Sequence, residues 1–242
     1  MMNQKTAIVI FSKTPGNSQA KSRLAHETSA DLASQVHRIL FQSTIDICKN
    51  LEKNFRVFAC PAENQVSSKI WQGIESIQPD ALNLRDRVAE IVNVLLLQYS
   101  NVLVLGTDCP DLTKDHLCRA VKQLDENDFV FGPSTDGGFY LMGTRKPIDK
   151  TRWSQVSWSQ ENTLEKVCLS LKDSKIGMMT YLGDIDTLSD LENYLVSSKP
   201  VLPDLHCHLS KVYQQFLSSF PSRPERSKGP VAGSSRRGER QW

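Results

Sequence analysis

The chain has 242 residues, 39% hydrophobic and 23% charged, with a formal net charge of +2. That length suffices for one sizeable domain with a full core, and charge this evenly balanced excludes a general affinity for nucleic acid. No apolar run approaches the roughly 18–20 residues that span a bilayer, and six scattered cysteines without a CxxC pair fit a reduced, cytoplasmic protein.

Strand-like and helix-like runs alternate along the chain. Residues 7–11 read as a core strand that continues the N-terminus, where no signal-peptide cleavage pattern follows. Residues 28–51 have helical spacing at Leu32, Val36, Ile39, Leu40 and Ile47, and Thr28-x-x-Asp31 resembles a capping box with Asp in place of Glu. Residues 55–60 form a second strand closed by Pro61, residues 85–99 a helix, and residues 101–106 a third strand. Thr113 is placed to cap a helix reaching about Leu124. Residues 128–132 and 139–143 are two strands with no helix between them, so the sheet is expected to be mixed. Ser159 is expected to open a helix to about Leu171, residues 176–181 a further strand, and Thr187 a last helix to about Val196. The alternation predicts an α/β sandwich with helices on both faces of a mostly parallel sheet.

The character changes near the end. Residues 1–198 carry the α/β pattern, and residues 199–220 hold one amphipathic helix from about Leu205. Residues 221–242 form a basic tail rich in Pro, Gly and Ser, expected to be disordered.

Four segments carry chemistry. In FSKTPGNSQAKSRL, Lys13, Gly16, Lys21 and Arg23 follow the first strand. Glycine lets backbone amides approach an anion and the cations neutralise it. The spacing matches neither a P-loop nor a dinucleotide fingerprint, so a solvated surface loop is the alternative. In GTDCPDL, Asp108 and Asp111 stand where the third strand runs out, and in open α/β sheets ligands lie beyond the strands' carboxyl ends. Asp108 reads either as a ligand for Mg²⁺ or Mn²⁺ or as a turn residue, and Asp111 as a helix cap. In GPSTDGGFYLMG, Asp136-Gly137-Gly138 is either a hairpin turn or a place where substrate lies against the backbone with Asp136 aimed at it. In YLGDIDTLSDL, Thr187 and Asp190 account for a helix start and leave Asp184 and Asp186 beyond another strand end. The five histidines lie in helix-like segments or near the tail, which suits nucleophilic hydrolysis poorly.

Taken in order, FSKTPGNSQAKSRL, GTDCPDL, GPSTDGGFYLMG, VSWSQENTLEKV and DIDTLSDL resemble the radical-SAM/selenodomain-associated transferase family, type 1, over about residues 5–196. That bacterial, glycosyltransferase-like group is similar to the 2-phospho-lactate guanylyltransferases. The resemblance implies a three-layer α/β/α GT-A fold with a mixed, mostly parallel sheet. It implies a transferase dependent on Mg²⁺ or Mn²⁺ that takes a nucleotide or nucleotide-sugar donor, with sugar transfer to an unidentified acceptor as the leading activity and nucleotidyl transfer as the alternative. It assigns Lys13, Lys21, Arg23 and Arg87 to the donor phosphates, Asp108 to metal and catalysis, Asp136 to catalysis near the acceptor or a metal, and Asp186 to the metal. Two positions depart from the family: Ser18 and Arg85 stand where glycine is usual. They motivate a competing reading, a catalytically weak nucleotide-binding protein.

Overall fold

A computed structural model describes residues 5–17, 19–62, 69–158, 160–196 and 199–219. Ser18, Ser159 and the basic tail lie outside the described residues. The elements run β1 (Thr6–Ser12), α1 (Ser22–Glu27), α2 (Ala30–Lys49), β2 (Phe55–Pro61), β3 (Glu75–Ser76), α3 (Leu84–Leu95), β4 (Asn101–Leu105) and α4 (Lys114–Gln123). There follow β5 (Phe129–Pro133), β6 (Phe139–Thr144), α5 (Lys150–Trp153), α6 (Thr163–Ser170), β7 (Ile176–Met178), α7 (Leu188–Leu195) and α8 (Pro203–Ser218).

The strands form one sheet in the order β3-β2-β1-β4-β6-β5-β7. All neighbours are parallel except β6, which is antiparallel to both β4 and β5. The helix-free link between β5 and β6 therefore makes the sheet mixed, as its sequence predicts. It also returns the hairpin to the edge where β1, β4 and β7 end.

Both faces of the sheet are buried, which explains why its central strands are apolar throughout instead of alternating with polar residues. Ala7, Val9, Val102 and Val104 pack with Val88 and Val92 of α3, Trp153 of α5 and Val167 of α6. Ile8, Ile10, Leu103 and Leu105 pack the other way, with Phe41 and Ile45 of α2 and Leu117 of α4. The result is the three-layer α/β/α sandwich. A third cluster joins Leu24 of α1, Leu40 of α2, Leu191 of α7 and Leu209 of α8, so α8 extends the core. No described helix is long and apolar enough to cross a membrane.

Several local expectations need correction. The N-cap of α2 is Ser29, whose hydroxyl accepts from Leu32 N at 3.1 Å, and Thr28 instead donates to Leu24 O at 2.6 Å. Asp111 is not the cap of α4: Thr113 is its N-cap, and the Thr113 amide donates to His116 Nδ1 at 3.2 Å. The strand expected over 176–181 ends at Met178, with only an isolated bridge between Ser134 and Leu182 beyond it. Arg85 lies within α3 with no left-handed backbone, so glycine's freedom is not needed there. Its guanidinium donates to Ser154 O at 2.6 Å and pairs with Asp86 at 2.9 Å, tying α3 to α5.

Candidate active site

The strand-end edge gathers side chains from distant parts of the chain. Lys21 is the N-cap of α1 and adopts φ 52°, ψ 51°, a left-handed conformation that usually costs a non-glycine residue about 1–2 kcal/mol. The side chain accounts for that geometry. Lys21 Nζ lies 2.5 Å from Asp108 Oδ1 and 3.3 Å from Asp186 Oδ1. The lysine side chain is 2% exposed, whereas those of Asp108 and Asp186 are 48% and 39% exposed. A buried cation thus sits beneath two acids that reach solvent. Burial alone would lower the Lys21 pKa, but the charges and hydrogen bonds of Asp108 and Asp186 outweigh it and hold the pKa above the usual lysine value. The ammonium stays charged.

Backbone bonds fix the two acids. Asp108 leaves β4 through Gly106 and Thr107, and Thr107 Oγ1 lies 2.9 Å from Ser12 Oγ at the end of β1. Asp108 O accepts from Ile185 N at 3.1 Å, and Asp186 O accepts from Leu24 N at 3.1 Å. The Asp190 carboxylate accepts from Asp186 N and Thr187 N at 3.1 and 2.8 Å, completing the expected capping box of α7.

Asp136 stands in the β5–β6 turn. Its Oδ1 accepts from Gly138 N at 2.9 Å and from the Ser134 hydroxyl. Gly137, with φ 84°, approaches the protein's own chain: a Cβ there would fall 1.8 Å from Glu161 O. The turn reading therefore accounts for Gly137 without a substrate. Across the edge, Thr135 Oγ1 donates to Asp184 at 2.9 Å. Burial pushes the Asp184 carboxyl up, the Thr135 bond opposes this, and the charges of Asp136 and Asp186 reinforce it. Beneath the group, burial drives the Cys109 thiol well above its ordinary value, and the charges of Asp108, Asp184 and Asp136 add to that. Asp108, Asp136, Asp184 and Asp186 thus lie along one edge of the sheet, close enough to influence one another or the thiol beneath by charge.

The other basic positions stand apart. Lys13 Nζ donates to Gln19 O at 2.6 Å, within its own loop. Arg23 is exposed on α1. Arg87 is committed to the end of β2, donating to Pro61 O, to Cys60 Sγ at 3.3 Å and to Ala62 O at 3.4 Å. Among the described residues no group of three or more His, Cys, Asp or Glu side chains is arranged around a metal position.

Two supporting residues went unnoticed in the sequence. His37 of α2, 4% exposed, donates from Nε2 to Lys13 O at 3.0 Å. Trp71, 2% exposed, donates from its indole to the buried Thr14 hydroxyl at 3.2 Å. Both pin the loop after β1 from behind. Neither lies in a motif, and the only available signal was the presence of polar-capable groups within apolar stretches.

This architecture is similar to that of a candidate nucleotide-diphospho-sugar transferase from Desulfovibrio desulfuricans G20, with a TM-score of 0.75 and 20% identity over 89% of this chain and 98% of that one. It is also similar to a cytidylyltransferase from Leptospira borgpetersenii serovar Hardjo-bovis (TM-score 0.51, 14% identity, 89% and 96% covered). A third is the 4-diphosphocytidyl-2C-methyl-D-erythritol synthase from Anaerococcus prevotii DSM 20548 (0.50, 11%, 88% and 97%). At these identities the likeness establishes the fold: that of nucleotide-diphospho-sugar transferases and cytidylyltransferases, which is the GT-A-like fold expected. Residues 44–160 match a family described as "Uncharacterized protein conserved in bacteria (DUF2064)". A search of curated proteins returns no match.

Proposed function

We propose that the protein is a transferase that takes an activated nucleotide donor, glycosyltransferase-like, with a sugar as the transferred group. The observation that carries this reading is the buried Lys21 ammonium between Asp108 and Asp186, at the sheet edge where this fold places ligands. A buried cation beside partly exposed carboxylates gives the site both charges that a nucleotide diphosphate and its counter-ion require.

The donor set suits Mg²⁺ or Mn²⁺, because both cations take carboxylate oxygens and complete their shells with water or phosphate. Asp108 and Asp186 would hold the ion, and when bound it would supply Lewis-acid neutralisation of the donor diphosphate. The chain's own groups have separate tasks. Lys21 offsets negative charge on the departing phosphates, an electrostatic contribution strengthened by its burial. Asp136 keeps one oxygen on Ser134 and Gly138 and orients an acceptor hydroxyl with the other. Lys13 and Arg23, at the loop and at α1, meet the outer donor phosphates, while Arg87 braces the end of β2.

Nucleotidyl transfer is the second reading, because cytidylyltransferases are among the proteins that share this fold. A product assay across nucleoside triphosphates and nucleotide sugars separates the two: sugar transfer releases a nucleotide, nucleotidyl transfer releases pyrophosphate. Calorimetry with and without Mg²⁺ tests the weak-binding alternative. Metal-dependent binding with no turnover of any donor would overturn the transferase reading and leave a nucleotide-binding protein.

A further inference from the structure

Beside the hairpin that carries Asp136 lies a cavity of about 490 Å³, bounded by Ser134 and Gly138 on one side and by α6 and the end of β7 on the other. That volume falls within the range of small-molecule sites. Three large apolar side chains line it while remaining exposed: Leu169 at 65%, Met178 at 50% and Tyr181 at 68%. Single exposed apolar residues are ordinary on a protein surface. Three around one concavity, whose wall includes the Ser134 and Gly138 that hold Asp136, form a surface suited to an apolar ligand face.

The cavity carries net negative charge of its own, being lined by Glu161 and Glu165 against Lys172 alone. Asp136 adds a further negative charge at its border. A phosphorylated acceptor would meet net repulsion here, and a neutral one would not.

Building on the transferase reading, we propose that this cavity is the acceptor subsite and takes a neutral, hydroxyl-bearing molecule with an apolar ring body. Tyr181, Met178 and Leu169 cover the ring, Asn162 offers its amide to a polar edge, and the hydroxyl turns toward Asp136.

The test uses a matched pair of probes with the full chain near pH 6.5: 4-methylumbelliferone, and its phosphate ester as the anionic counterpart. Calorimetry should find the neutral probe bound and the ester weaker by about tenfold or more, the scale of one lost favourable contact. Tyr181→Ala and Leu169→Lys, with folding checked by circular dichroism, should each weaken the neutral probe about tenfold, as expected for a ring that stacks and buries there. Asp108→Asn should leave its affinity within about twofold, because that carboxylate serves the donor end. Equal or tighter binding of the ester, no binding of the neutral probe, or indifference to both cavity substitutions overturns the proposal. The two readings fail separately: neutral-probe binding that depends on Tyr181, in a protein that turns over no donor, would retain the subsite and reject the transferase.

Discussion

Lys21 and Asp136 stand at the same edge of the sheet, yet the chain positions them by opposite means. Lys21 is held by Asp108 and Asp186, which lie 87 and 165 residues away in sequence. Asp136 is held by Ser134 and Gly138, each two residues away. The first arrangement is tertiary and electrostatic, so it forms only when β1, β4 and the segment after β7 have assembled. The second is a turn that its own residues specify. The Lys21 cluster should therefore answer to charge, and the hairpin to backbone geometry.

Substitutions at the two places should separate them. The largest effect is expected for Asp108→Ala, which should cut turnover by about 10³-fold, the scale of losing a main electrostatic group, with circular dichroism unchanged. Turnover at the wild-type level would remove Asp108 from the site. Next, Gly137→Ala must adopt φ 84° against Glu161 O. It should cost roughly 2–3 kcal/mol in denaturant unfolding through strain and a close contact, and a neutral result would mean that the turn tolerates a side chain.

Lys21→Met should cost about 2 kcal/mol, a value discounted because its partners are partly exposed, and should weaken donor binding. The sign of its pH dependence follows from the raised pKa. The contribution is fully present below about pH 10.5, the ordinary lysine value, and is lost only as pH climbs through the higher folded value. Trp71→Phe removes one hydrogen bond from behind the loop while keeping an aromatic ring. It should cost about 1 kcal/mol and appear as a raised donor KM with kcat little changed.

The smallest effect concerns His37. Burial lowers its pKa below 6.5, with Lys21 and Lys13 adding to the shift and the Lys13 carbonyl and Asp108 opposing it. Its Nδ1 is buried with no hydrogen-bond partner among the described residues. The unfolded chain therefore binds the proton more readily, and this contribution to stability is present above about pH 6.5 and lost as pH falls below it. Chemical unfolding at pH 7.5 and 5.5 should register a smaller decline in His37→Phe than in the wild type; an identical decline would contradict this assignment.

The same contrast explains what was legible in the sequence. Local signals were readable: the apolar runs of β1 and β4, the Thr187–Asp190 capping box and the helix-free β5–β6 link, which alone implied a mixed sheet. Lys21, Asp108 and Asp186 were named from motifs, but their contact was not readable, because no spacing rule relates residues so far apart. Elements created by tertiary pairing were missed. β3 is two exposed residues paired to β2, and α1 starts at a left-handed lysine that the carboxylates hold in place. At Arg85, the departure from glycine suggests weakened catalysis, and the structure places the residue in a helix turn tied to α5, where glycine's freedom is not needed.

On the proposed function, Lys21, Asp108 and Asp186 together receive a nucleotide diphosphate and its cation. Anomalous diffraction from a crystal of the protein soaked with Mn²⁺ and a nucleoside diphosphate tests it most directly. An anomalous peak is expected against Asp108 and Asp186, with the diphosphate over Lys21. A nucleotide bound at another edge of the sheet, or an ion held by residues outside this group, would contradict it.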